Sequence, residues 1–322
     1  MSRRGWTLFV VMGVIWGIPY LLIKVAVEEL SPPTLVLART AIGAVLLLPF
    51  AIARGQLRPL LARWRPFLIY TVIEICIPWL LLSYAEQRLS SSLTGLLIAA
   101  VPLVGAAIAV STGEHERLDG RRLLGLILGV AGVGALVGFE ISAGDVWSVL
   151  AIAGVAICYA IGPVILSRQL AEVPAMGVVA ASLGLAALVY VPAGLALAPR
   201  RWPSAAVIGA VVILAAVCTA LAFLLFLALV AEVGPARSVV ITYLNPAVAV
   251  LLGVVLLDEL FTTATAVGFV LILAGSVLAT ARAAPGRRAA RLRAAPSGGA
   301  GRDRLGSADV DCADLGQPVP EP

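Results

Sequence analysis

Charge is scarce in this sequence. Asp, Glu, Lys and Arg make up 13% of its 322 residues, against about 25% in a soluble globular domain. A chain that is 61% hydrophobic, with a mean hydropathy of +1.04, has too little polar surface to cover a water-soluble core. Its long apolar runs have the length of membrane-crossing helices. Histidine occurs once, as His115, in a loop of mixed charge where it reads as a solvated residue. With no histidine and a single carboxylate inside the apolar runs, metal-centred chemistry and nucleophilic triads lack their parts. No enzyme, metal or cofactor is therefore expected. The GxxxxGK[ST] pattern is absent, which speaks against ATP drive. Cysteine carries no framework: Cys76, Cys158 and Cys218 sit in apolar runs, Cys312 lies near the end, and no CxxC occurs. The first apolar run, Trp6 to Val27, is too long for a signal peptide and lacks a small-residue cleavage site, so it reads as the first span. Lysine also occurs once, as Lys24, among 23 basic side chains. The net charge of +5 is then a matter of loop position, and no nucleic-acid partner is expected.

What is present is a run of ten apolar segments, near 6–27, 34–53, 66–84, 91–111, 121–139, 146–166, 175–197, 205–230, 237–257 and 262–281. The expected fold class is an all-α polytopic membrane protein. Arg, Ala, Pro and Gly dominate 283–322, which cannot build a core and reads as a disordered cytoplasmic tail. Basic residues fix the orientation. Arg3, Arg4, Arg54, Arg58, Arg63, Arg65, Arg117, Arg121, Arg122, Arg168 and Arg237 fall on one side, Arg88, Arg200 and Arg201 on the other. Both termini are thus expected in the cytoplasm, with the protein in a bacterial inner membrane.

The chain also repeats itself. Residues 95–114 align with 238–258 when Pro102 is laid on Pro246, 144 residues apart, and Glu114 and Asp258 follow at equal distance. GLILGVAG at 125–132 matches GFVLILAG at 268–275. A unit of five crossings has an odd number, so its second copy enters from the opposite face. The expectation is two inverted five-helix units, 1–139 and 140–282, an architecture of alternating-access carriers with the site at their interface.

At this point the chain resembles the drug/metabolite transporter (DMT) superfamily, specifically its EamA-type ten-helix members. VIWGIPYLLIK (14–24) is similar to the first-helix pattern, LART (37–40) to the arginine of the second, 100–118 to the fourth, and NPAVAVLLGVVLLDELFT (245–262) to the ninth. The ninth helix of the family usually ends Gly-Glu and here reads Leu-Asp-Glu. The resemblance implies a secondary active transporter, an exporter of small metabolites or amino acids. A lipid flippase or an accessory membrane subunit on the same fold is the alternative.

The candidate site residues are the polar groups inside the spans. Glu74 lies about 12 Å deep in a hydrocarbon core of about 30 Å, on a face with Phe67, Tyr70, Thr71, Pro78 and Leu81. One reading makes it a proton carrier or substrate contact; the other makes it a neutral acid bonded to a neighbouring helix, or a partner of Arg39. Arg39 and Lys24 sit nearer the outer ends of their spans. Either they form the positive part of a cavity suited to a carboxylate-bearing substrate, or they anchor at the interface. Trp16, Tyr20, Tyr159, Tyr243 and Asn245 are candidate pathway residues. Trp79 and Tyr84 read better as lipid-interface aromatics. Pro102 and Pro246 are candidate hinge or packing positions, and Gly125 and Gly129 read as close helix packing.

Overall fold

A computed structural model describes residues 2–111, 120–140, 143–234 and 238–280. The loop around His115 and the tail expected over 283–322 lie outside the described residues. Among the described residues all regular structure is helical, and nine helices are long and apolar enough to cross a membrane: α1 Arg3–Ala26, α2 Pro32–Ala53, α3 Trp64–Glu86, α4 Ser91–Ser111, α5 Gly120–Gly138, α6 Val146–Gln169, α7 Ala175–Ala196, α8 Ala205–Val233 and α10 Thr263–Thr280. The segment expected at 237–257 appears as a shorter apolar helix, α9 Val240–Leu256. Backbone polar groups cannot be left open in hydrocarbon, which is why long apolar sequence resolves into helices.

The helices start where local chemistry dictates. Ser2, Ser31, Ser90 and Ser204 each accept a hydrogen bond from the backbone N–H three residues on, capping α1, α2, α4 and α8. They then pack in a reciprocal pattern. α2 packs on α7, α4 on α9 and α5 on α10, while α1 packs on α8 and α6 on α3. Small residues let α5 and α10 approach. A methyl group on Gly125 would meet backbone atoms of Gly275 and Ala279, and one on Gly275 would meet backbone of Gly125 and Gly129. The G-x-x-x-G of α5 is thus a packing motif, as its spacing suggests.

α3, α4, α8 and α9 are irregular at paired places, and α1 bends at Ile18, before Pro19. α3 opens into a π-helical turn at Val72–Cys76, and α8 into one at Ala216–Leu221, starting 144 residues later. Their causes differ. In α3, Pro78 has no N–H for the Glu74 carbonyl, and the Ile77 N–H bonds the Val72 carbonyl instead. In α8, the Thr219 hydroxyl inserts into the ladder and donates to the Leu214 carbonyl at 2.9 Å. α4 breaks at Ala99–Ala100, just before Pro102. α9 is wound as a tight 3₁₀ turn over Val239–Tyr243 and then continues from Asn245. The Ala99 carbonyl accepts from the Ser276 hydroxyl at 3.1 Å. The Asn245 amide nitrogen faces the Ile241 carbonyl at 3.0 Å and the Gly13 carbonyl at 3.1 Å. Ser276 of α10 thus satisfies backbone at the α4 break, while Asn245 serves the break in its own helix and ties it to α1.

Candidate functional site

Arg39 lies in the middle of this arrangement. It is only 8% exposed, on a face of α2 turned toward α3 and α8. Its Nε donates to the Thr219 hydroxyl at 2.9 Å, at the π-helical turn of α8. Its guanidinium carbon stands 3.6 Å above the centre of the Trp79 ring, a cation–π contact with α3. Among the described residues Arg39 forms no ion pair, unlike Arg63, which pairs with Glu172 at 2.9 Å on the surface. A planar fork held from both sides with no carboxylate on it has the geometry to pair with an anion. Interface snorkelling, one of its two expected roles, does not describe this side chain.

Around Arg39 gather groups from four helices. Tyr20 of α1, Tyr159 of α6, Cys218 of α8 and Glu86 of α3 all lie within electrostatic reach of its charge. Tyr159 has both Arg39 and Glu74 within electrostatic reach and lies against Trp79. Trp79 is 5% exposed, so it is a buried platform and not the lipid-facing aromatic expected from sequence. Tyr84, 42% exposed, does face outward.

Glu74 projects from the π-helical turn of α3 into a notch on α6 made by Gly162. A methyl group there would overlap the Glu74 carboxyl. Its Oε2 is buried without a hydrogen-bond partner, and Tyr70, Cys158 and Tyr159 are its electrostatic neighbours. The expected pairing with Arg39 is not formed, since the guanidinium is taken by Thr219 and Trp79. The widened turn also changes the register of the face drawn from ideal helical spacing. Thr71, expected beside the acid, bonds instead to Ser182 of α7 at 2.8 Å and to the Phe67 carbonyl at 2.9 Å.

The other expected residues separate. Trp16 packs on Phe223 and Phe226, joining α1 to α8 along the same side as Tyr20. Lys24 donates from Nζ to the carbonyls of Glu86 at 2.8 Å and Leu89 at 2.9 Å, capping the end of α3. That differs from both a substrate contact and a snorkelled anchor. Tyr243 bonds the Thr280 hydroxyl at 2.9 Å, and Asn245 ties α9 to α1. Both side chains make ties between helices. Pro102 and Pro246 sit at the two helix breaks.

Sequence reading missed Glu86 altogether. The third apolar run ends near residue 84, and SYAEQR beyond it reads as a loop, yet α3 continues through Glu86 and buries it completely. The membrane segments therefore hold Glu86 as well as Glu74, and Glu232 at the end of α8. Thr219 carried no signal, because one threonine in an apolar run is ordinary.

A polar core in an apolar helical bundle points to passage of a solute. The sequence pattern of the EamA-like transporter family matches the chain twice, over residues 3–138 and 146–281. The chain belongs to this family. Two curated relatives carry the same reading in their names. One is "Uncharacterized inner membrane transporter YedA" of Escherichia coli strain K12, 29% identical over 74% of this chain and 78% of that protein. The other is "Uncharacterized transporter YvbV" of Bacillus subtilis strain 168, 26% identical over 86% of this chain and 92% of that protein. A solved crystal structure of a protein with 22% sequence identity shares the fold, at a TM-score of 0.63 over 87% of this chain and 98% of the other. The EamA-like chain described here is thus a multi-pass membrane transporter.

Proposed function

We propose that this EamA-like protein is a secondary active exporter of small, carboxylate-bearing metabolites or amino acids, working by alternating access. The observation that carries the substrate class is Arg39: a buried guanidinium with no protein carboxylate, backed by Trp79 and oriented by Thr219. In a low-dielectric bundle an unneutralised arginine is costly, and a substrate carboxylate supplies the missing charge. Tyr20 and Tyr159 frame the same space and offer hydroxyls to the rest of the solute. Glu74, one tyrosine away, is the group placed to contact the substrate's amine or to carry a proton.

Alternating access is supported by the twofold recurrence of features. The two family matches coincide with the expected units 1–139 and 140–282. The π-helical turns and the helix breaks recur about 144 residues apart. On this reading the protein has ten crossings as two inverted five-helix repeats, both termini cytoplasmic, in the inner membrane. α3 and α8 bend at their π turns, α4 and α9 at their breaks, and the halves rock about Arg39.

The test is metabolite profiling of culture medium. Otherwise identical strains carry no transporter, the wild type, Arg39→Gln or Glu74→Gln at matched membrane levels. The expected result is a carboxylate-bearing compound enriched outside with the wild type and lost with Arg39→Gln. Equal enrichment with Arg39→Gln would refute the assignment of Arg39. Enrichment unchanged by Glu74→Gln would leave Glu74 structural. No change in any compound would turn the reading toward uptake or toward lipid.

A further inference from the structure

Eight buried side-chain oxygens have no hydrogen-bond partner among the described residues, and five of them belong to the short stretch Glu86–Thr94. They are both carboxylate oxygens of Glu86 and the hydroxyls of Ser91, Ser92 and Thr94. All four residues are at most 5% exposed. The contrast with other buried hydroxyls is sharp. Thr40, Thr71 and Ser83 each donate to the carbonyl four residues back, at 2.7, 2.9 and 2.7 Å. Ser91 and Ser92 stand in the first turn of α4, with no helical carbonyl four residues back, and the Thr94 hydroxyl leaves the Ser90 carbonyl to its own backbone N–H at 3.0 Å.

Ser91 and Ser92 converge with Glu259, which accepts from their backbone N–H groups at 2.6 and 2.9 Å. A methyl group on Gly253 would collide at once with Glu259 Oε2 and the hydroxyls of Ser91 and Ser92, so the three oxygens crowd one place. Thr94 follows one turn on, on the same side as Ser91. Glu86 ends α3 on the other side of the turn, where Lys24 bridges the backbone carbonyls of Glu86 and Leu89. The charged groups acting on Glu86 are Lys24, Glu259 and Arg39.

We propose that this cluster, where α3 and α9 end and α4 begins, is a binding site for a small monovalent cation of the sodium class. The donor set is carboxylate and hydroxyl oxygen throughout, the preference of a hard cation. The charge balance limits the valence. Glu86 and Glu259 face Lys24, which is spent on carbonyls, and Arg39, which is held at Thr219 and Trp79. With two charges of each sign already present, a divalent ion overshoots further than a monovalent one. A proton on Glu86 would serve one oxygen of five.

The full-length protein in detergent micelles tests this by thermal melting in NaCl, KCl and choline chloride at equal ionic strength. Sodium, from about 1 to about 100 mM, should raise the melting temperature by about 3 °C, and choline should not. Glu86→Gln should abolish the rise. Ser92→Ala should move the half-maximal sodium concentration up several-fold, and it decides the matter if Glu86→Gln does not fold. Equal rises in all three salts would overturn the proposal, as would a sodium rise unchanged in both variants. So would stabilisation that follows pH in choline chloride and gains nothing from sodium, which would assign Glu86 a proton.

Discussion

Replacing Gly162 with alanine adds one methyl group at the place where Glu74 is seated. On the wild-type backbone that methyl stands 2.8 Å from Glu74 Cδ and 3.3 Å from its Cβ, and overlaps Oε2. The carboxyl must therefore leave the notch. Even after it turns, the Glu74 Cβ is tight against α6, and α3 must give by a few tenths of an ångström. Overpacking of this kind costs about 1–3 kcal/mol, while Gly→Ala in a helix returns about 0.5–1 kcal/mol. The obstacle is mostly the movable end of a side chain, so the low end of the cost applies and folding should change by less than about 1 kcal/mol. Transport should suffer more. If the seated carboxyl is needed in the rate-limiting step, losing that position at about 1–3 kcal/mol slows export about 5- to 150-fold. Export of the compound found by profiling, measured from loaded cells at matched expression, is the assay. The control is the double variant: with Glu74→Ala already made, Gly162→Ala should cost little more, because its target is gone. Wild-type export by Gly162→Ala, or equal losses with and without the Glu74 side chain, would refute the seating argument.

Other outcomes follow from the packing. Gly275→Ala should separate α5 from α10, since the new methyl meets backbone of Gly125 and Gly129 that no rotamer change can move; a loss of about 1–3 kcal/mol is expected, read as a lower melting temperature in detergent. Lys24→Met should remove the cap from the Glu86 and Leu89 carbonyls, costing about 1–2 kcal/mol and loosening the turn between α3 and α4, seen as faster amide exchange there. Glu29, in the loop before α2, accepts from the Ser204 side, including its backbone N–H at 2.8 Å, and this holds its carboxyl below the usual range. A depressed folded value means the contact stabilises above the ordinary carboxylate pKa and is lost as pH falls through the lowered one. Glu29→Gln should flatten that acid-side decline in melting temperature, and an unchanged pH profile would remove Glu29 from the account.

The composition alone determined that this chain lives in a membrane. Scarce charge and long apolar runs leave helices as the backbone's only way to satisfy itself in lipid, and that argument needs no coordinates. The paired prolines and Gly/Ala-Gly spacings marked where α4 and α9 break and where α5 meets α10, because those effects are local or depend on side-chain size. Arg39 and Glu74 stood out because an ionisable group inside an apolar run is expensive and so conspicuous.

Which partners those groups find was decided only by the tertiary structure. Arg39 meets Thr219, 180 residues away in sequence, and lies over Trp79, an aromatic whose position near one end of its apolar run suggested lipid. Glu74 was read on an ideal helix, and the π-helical turn moved it onto Gly162, away from Arg39. Lys24, Tyr243 and Asn245 are polar like the site residues, yet they cap and tie helices, because the same hydrogen-bonding capacity serves a carbonyl or a solute equally well. Glu86 was hidden by its neighbours: in a sequence window it belongs to a polar turn, and only the packing of α1, α3, α4 and α9 around that turn buries it. Sequence records the cost of a group in its own segment, whereas the packing decides what surrounds it and hence what it can do.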